Sequence, residues 1–218
     1  MNIKEVHILT NDLKKTAAFY SDLLGFTIIE KDLQHVSFSV NQTILRFSLT
    51  TSIINPVYHL AFDIPNNTFD EAFTWLAPKA EILNVTPESK IADFVRWNAK
   101  SFYFFDSNGN ILEFITRYDN HVETTAAFNA SAVLSVSEVG IVTDNVNDTS
   151  NKLVAKYDLQ FFSKQPPLPD FTVLGDNNGL FIIVQKDRAW YPTDKKSSVF
   201  YTKVIFEDKG QLQEFELT

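Results

Sequence analysis

The sequence predicts an α+β fold made of repeated βαβββ units, each one a helix laid on a four-stranded sheet. Three observations carry this prediction. Apolar residues alternate at the strand period in some segments and recur at the helical period in others. The order strand, helix, strand, strand, strand begins near residue 5 and restarts from 57 and from 138, a period on the order of fifty residues. Two hairpin turns match, DSNGN at 106–110 and DNNGL at 176–180.

In the first unit, EVHILTND opens as a strand, and Asn11 or Asp12 can cap the helix that follows. Leu13, Ala17, Tyr20 and Leu24 form one apolar stripe, and Gly25 suits a left-handed stop. FTIIEK, HVSFSV and QTILRFSLT supply three strands, with Asn41-Gln42 at the last turn. In the second unit, VYHLAFDIP (57–65) is a strand, and NTFDEAFTWLAP is a helix with Phe69, Ala72, Phe73 and Leu76 on one side. EILNVTPE is a weaker strand, and SFYFFDSNG with NILEFITRY forms a hairpin. The third unit runs from 138 through EVGIVTDNVNDTSNKLVAKYDLQFF, FTVLGDNNG and LFIIVQK. His7 and Gly140 take equivalent places in this alignment, as do Tyr20 and Leu153. VFYTKVIFED and QEFELT read as strands of a fourth unit left incomplete, whose open edge is expected to dock on the first domain or on a second chain. The chain thus divides into a two-unit domain (1–117), a connector (118–134) rich in Ala, Thr and Asn, and a third unit with the truncated fourth (135–218). The proline-rich SKQPPLPD (163–170) cannot be a central strand.

Composition narrows the function. The chain of 218 residues is 44% hydrophobic and 14% aromatic with 20 Phe, enough for a packed core. Its net charge of -8 and the lack of a Lys/Arg cluster argue against nucleic acid. The absence of cysteine excludes disulfides and thiolate metal sites and is compatible with the cytoplasm. MNIKEVHILTND does not read as a signal peptide, and no apolar run reaches the length of a membrane span.

Strand parity then groups the polar residues. His7 lies on the face opposite Val6 and Ile8, His59 opposite Leu60 and Phe62, and Glu113 opposite Leu112 and Phe114. A helix prefers the bulky apolar face, so all three point to the helix-free side. If the first two units pair about a pseudo-twofold axis, two imidazoles and a carboxylate converge, a set that suits a divalent metal with open positions. Taken singly, each histidine could be an ordinary half-buried residue, and Glu113 could pair with Arg46 or Arg117. Tyr103, on the strand beside Glu113's, either contacts a substrate or belongs to an aromatic core. Arg46 either favours an anionic substrate or makes a salt bridge. Arg96-Trp97 could close over a ligand or form a surface loop. His35 is placed at a rim and His121 in solvent.

The βαβββ units, a histidine in the first strand of each of two successive units, and DSNGNILEFI together resemble the vicinal oxygen chelate superfamily, the glyoxalase, bleomycin-resistance and extradiol-dioxygenase group. The resemblance covers residues 1–117. It implies a cup-shaped, partly open barrel sheet with helices outside, a divalent metal (Fe, Mn, Zn or Ni) held by His7, His59 and Glu113, and Tyr103 and Arg46 beside Glu113 in the catalytic set. It implies a metal-dependent enzyme acting on a small molecule with vicinal oxygens, an anionic one if Arg46 reads it, of extradiol-dioxygenase or glyoxalase-related type. The alternative is a metal-independent sequestering protein of the bleomycin-resistance type, and a homodimer is compatible with either. Arg46 stands where the glyoxalase I branch has a further carboxylate, which favours three-ligand members and argues against glyoxalase I activity. Gly140 and Ile183 leave the third unit without ligands, as scaffold or as a dimer or lid element.

Overall fold

The computed structural model describes residues 1–217. The first unit comprises β1 (Asn2–Thr10), α1 (Leu13–Ala17), β2 (Thr27–Lys31), β3 (His35–Val40) and β4 (Thr43–Leu49). Asp12 caps α1 by accepting from the Lys15 N–H at 2.9 Å, and the helix widens into a π turn over Ala18–Leu23. The second comprises β5 (His59–Asp63), α2 (Phe69–Leu76), β6 (Ala92–Phe94), β7 (Ala99–Phe105) and β8 (Ile111–Arg117). The third comprises β9 (Ser135–Thr143), α3 (Val146–Tyr157), β10 (Phe171–Asp176) and β11 (Gly179–Gln185), and β12 (Thr202–Asp208) and β13 (Gln211–Leu217) follow as a hairpin. EILNVTPE makes only one bridge, Ile82 to Phe104, and the short strand lies later, at β6. Two prolines and two acidic residues flank or interrupt that segment and weaken it as a strand.

The strands form two sheets, β13-β12-β1-β4-β3-β2 and β10-β11-β9-β5-β8-β7-β6. In each of the three units the first strand runs parallel to the last. The first two units therefore do not share a sheet, contrary to the expected pairing within 1–117. The second unit pairs with the third through antiparallel β5 and β9, and the first pairs with the incomplete fourth through antiparallel β1 and β12. The connector makes this exchange possible. Leu134 donates its N–H to the Asp63 carbonyl at 2.8 Å, and Val136 donates to Thr43 Oγ1 at 3.1 Å, so β9 enters alongside β5. The edge of β1 left open is covered by β12, which satisfies its backbone groups.

Both sheets turn their bulky faces to one apolar core that includes Val6, Leu45, Phe62, Phe114, Phe181 and Phe206. The parity assignments of Leu60, Phe62, Leu112 and Phe114 to this face hold. A second apolar cluster, with Tyr103, Ile111, Leu180, Ile182 and Trp190, lies on the other face of the β5–β11 sheet. No helix among the described residues is long and apolar enough to cross a membrane.

Candidate metal centre

The turn that precedes β8 sets the height of Glu113. Asp106 is buried and accepts from the backbone N–H groups of Asn108 and Asn110 at 2.8 and 2.9 Å. Gly109 adopts φ +86, a left-handed conformation that glycine reaches at little cost. Asn110 Oδ1 accepts from the Tyr58 N–H at 2.8 Å, and Tyr20 donates to Asp106 at 2.9 Å. These bonds fasten the hairpin to the start of β5 and to the first helix. β5 and β8 then run in parallel register, with Ala61 beside Glu113.

On the helix-free face of this sheet, His59, Glu113 and Glu138 converge. His59 Nε2 lies 3.6 Å from Glu113 Oε2 and 3.7 Å from Glu138 Oε2, and one ligand atom from each residue falls within 4.8 Å of the others. All three are buried. His59 Nδ1 stands 3.2 Å from the Ile111 carbonyl, so the Nδ1–H tautomer donates there and leaves the Nε2 lone pair facing the carboxylates. Burial works against a charged His59 ring, yet the Glu138 carboxylate as acceptor for that ring and the charges of Glu113 and Glu138 outweigh it and raise the pKa. Burial and the charge of Glu138 push Glu113 up to about 7.

Behind the group, fully buried Arg117 donates to Asp63 Oδ1 at 3.1 Å, to Ser137 Oγ at 3.0 Å and to Glu138 Oε1. Burial pushes Asp63 up to about 6 against the pull of Arg117. In the state that ligation requires, with His59 neutral and Asp63, Glu113 and Glu138 all ionised, three carboxylates against one guanidinium leave two uncompensated negative charges. Burying such an excess is costly without a counterion. Glu113 Oε1 is buried with no hydrogen-bond partner among the described residues. The donor set, the charge balance and the orphaned oxygen all fit a divalent cation, which an imidazole and two carboxylates bind well.

The group forms the floor of a cavity of about 250 Å³ walled by Phe94, Trp97, Tyr103, Trp190 and Tyr191. Tyr103 pairs across the strands with Glu113, and burial and the Glu113 charge raise its phenol well above the ordinary value. Trp190 lies over His59 with ring centroids 5.3 Å apart. Gly140 makes this contact possible, since a Cβ there would stand 2.6 Å from Trp190 Cη2 and 3.2 Å from the His59 Cβ.

Of the ligands expected from the sequence, the structure brings together His59 and Glu113 and leaves His7 apart. His7 sits in the other sheet, half-buried, with Nε2 2.9 Å from Glu5 Oε2. Arg46 lies in that same sheet, paired with Glu30, and does not line the cavity. The third unit, expected to be without ligands, contributes Glu138. Strand register gives the reason. His59 pairs with Ile111, Glu5 with Ile44 and Glu138 with Leu180 at corresponding points of the three parallel pairs. Glu5 and Glu138, not His7 and Gly140, are therefore the equivalents of His59. By the same register Ile182, not Ile183, corresponds to Glu113. Ile182 lines the cavity, while Ile183 packs in the helix-side core.

Residues 3–41 match a family described as bleomycin resistance protein-like N-terminal. No curated protein matches the chain in sequence. A structure from Bacillus subtilis subsp. subtilis str. 168, described as "putative dioxygenase", superposes with a TM-score of 0.60 at 15% identity, over 84% of this chain and 63% of that one. This chain thus spans less than two thirds of that relative's length. A lactoylglutathione lyase from Agrobacterium tumefaciens is similar at 22% identity, over 52% of this chain and 92% of that one, with a TM-score of 0.43. A glyoxalase/bleomycin resistance protein/dioxygenase from Nocardioides is similar at 20% identity, over 58% and 87%, with a TM-score of 0.43. The first of these superpositions shows a shared fold, and the strand topology shows it to be the repeated βαβββ layout expected from the sequence.

Proposed function

We propose that the chain is a metal-dependent enzyme of the vicinal oxygen chelate type, with one divalent ion held by His59 Nε2, Glu113 and Glu138. The observation that carries this reading is the buried group itself: three ligand-type side chains and an unpartnered carboxylate oxygen facing a cavity. A cup that only sequesters a flat or charged molecule has no need of three ligand-type side chains converging on one point, so the sequestering alternative is not favoured.

When bound, a divalent ion supplies a Lewis acid able to hold two adjacent oxygens of a small molecule. The chain's own residues do the rest. Ile111 fixes the His59 tautomer, and Arg117 holds one oxygen of Glu138 and leaves the other toward the floor. Ile182 occupies the fourth symmetric position and offers no ligand atom, which leaves room for substrate. Tyr103 keeps its proton at neutral pH and can donate it in a hydrogen bond to a substrate oxygen. The aromatic walls exclude water and strengthen these polar interactions. Arg46 and His7 take no part in this reading.

The test is metal analysis of protein purified without chelators or an affinity tag. One ion per chain is expected. His59→Ala and Glu138→Gln should lose most of the affinity, and His7→Ala should keep it. Full occupancy in His59→Ala, or loss in His7→Ala, overturns the assignment. Protein loaded anaerobically with Fe(II), Mn(II), Ni(II) or Zn(II) is then assayed with catechols and oxygen, with a hemithioacetal and with an epoxide.

A further inference from the structure

The cavity carries an asymmetry that the metal reading leaves unused. Its floor is acidic and its walls are aromatic, yet one basic residue, Arg188, also lines it. Arg188 belongs to a hairpin-like excursion between β11 and β12, and that excursion is well fastened. The Arg188 carbonyl accepts from the Ser197 N–H at 2.8 Å, and the Arg188 N–H donates to Gln185 at 3.1 Å. Asp187 donates to the Ser197 carbonyl at 2.9 Å, and Ser197 Oγ donates to Gln185 at 2.8 Å.

The guanidinium is also oriented. Its Nε donates to Asp170 Oδ2 at 3.0 Å, and its Cζ lies 4.9 Å from the centre of the Phe171 ring. The two terminal nitrogens have no partner among the described residues. A planar guanidinium held by its Nε and by a ring face presents those nitrogens as a ready fork for a carboxylate. Its partial exposure, at 33% of the side chain, fits a residue at the mouth of the cavity.

The charge balance points the same way. A divalent ion at the floor cancels the excess of Asp63, Glu113 and Glu138 over Arg117. A second anionic group on the ligand then has no reason to go to the floor, and the cation it can meet is at the mouth. The walls favour a flat ring, since aromatic faces and edges reward stacked or edge-on partners. The volume of about 250 Å³ lies below the range of cavities that enclose drug-sized ligands, and so limits the ligand to a small molecule.

We infer that the cavity selects a small planar aromatic carboxylate, its acid group read by Arg188 at the mouth and its ring held between the aromatic walls. The inference rests on the metal-centre reading only for which end of the ligand faces the floor. The assignment of an anionic ligand to Arg46 is thereby replaced by one to Arg188.

The experiment compares two probes, 3,4-dihydroxybenzoate and catechol, which share a ring and vicinal oxygens and differ in the carboxylate. Affinities are read by tryptophan fluorescence and calorimetry on the full chain loaded with Zn(II). The wild type should bind the carboxylate probe at least tenfold more tightly, with a preference that weakens as salt is raised. Arg188→Met should bring the two probes to similar affinities, and Arg188→Lys should keep part of the preference. Equal binding of both probes by the wild type, or an undiminished preference in Arg188→Met, overturns the inference. Zinc stoichiometry is measured on the same samples. A carboxylate preference that depends on Arg188 in protein that binds no zinc would uphold the inference and sink the metal-centre reading.

Discussion

Replacing Glu113 by glutamine separates a site built for a cation from a core that happens to contain a carboxylate. Without metal, burial and the charge of Glu138 push Glu113 from its ordinary 4.5 up to about 7. The folded chain therefore holds the Glu113 proton more tightly than the unfolded chain does. The contribution of this group to stability is full below about 4.5 and is lost as pH rises through about 7. At about 1.4 kcal/mol per pKa unit, ionised Glu113 costs the metal-free fold on the order of 3 kcal/mol at pH 8. Glutamine keeps the shape and removes the charge. In chelator-treated protein, Glu113→Gln should be more stable than the wild type by about 2–3 kcal/mol at pH 8. The difference should close as pH falls toward 5, where wild-type Glu113 is protonated. Metal should reverse the order. Saturation at a hundred times Kd adds about 2.7 kcal/mol to a protein that binds only when folded, and the variant should gain little of it. Urea unfolding followed by tryptophan fluorescence, with and without Zn(II) at pH 5.5 and 8, reads both effects. A metal-free variant less stable than the wild type at pH 8 would refute the charge argument. An equal gain from zinc in both proteins would refute the ligand role of Glu113.

Arg117→Met should destabilise the metal-free fold by about 3–5 kcal/mol, because it leaves Asp63 and Glu138 buried without their counterion; urea unfolding with a loss under 1 kcal/mol would contradict this. Gly140→Ala should cost about 1–3 kcal/mol, since its Cβ must displace the Trp190 ring from His59. It should also alter the fluorescence of the cavity tryptophans, and an unchanged spectrum and stability would show that Trp190 does not need that space.

Much of the fold is legible because it rests on local signals. The caps, the helical stripes and the DSNGN and DNNGL turns each specify an element from adjacent residues. Their agreement over three units identifies the βαβββ repeat. The exchange of partners between units is not local. It depends on where the connector delivers β9, and the bonds of Leu134 to Asp63 and of Val136 to Thr43 join residues that no periodicity relates. Arg188 is missed for the same reason. It lies in a loop with no repeat counterpart, and only the packing of that loop on Phe171 brings it to the cavity.

The ligand set divides along a finer line. Parity placed His7, His59 and Glu113 on helix-free faces, and that placement is right. Parity, however, is blind to a slip of two residues, which keeps the face and changes the height. Two residues along a strand span about 6.6 Å, far beyond a metal–ligand bond of about 2 Å, so height decides what can coordinate. The slip was visible in the chain: EVHILTND (5–12) and EVGIVTDN (138–145) align with HLAFDIPN (59–66) only when Glu5 and Glu138 stand opposite His59. At that height the two sheets differ in charge. In the β5–β11 sheet Ala61 faces Glu138, and in the β1–β12 sheet the corresponding His7 faces Lys203. Glu5, Arg46 and Lys203 thus stand where His59, Glu113 and Glu138 stand in the other half. Arg46 and Lys203, paired with Glu30 and Glu214, hold that position and offer a metal ion no lone pair. The same fold repeated within one chain therefore gathers three ligand-type side chains in one sheet and sets two non-ligating cations at the matching place in the other.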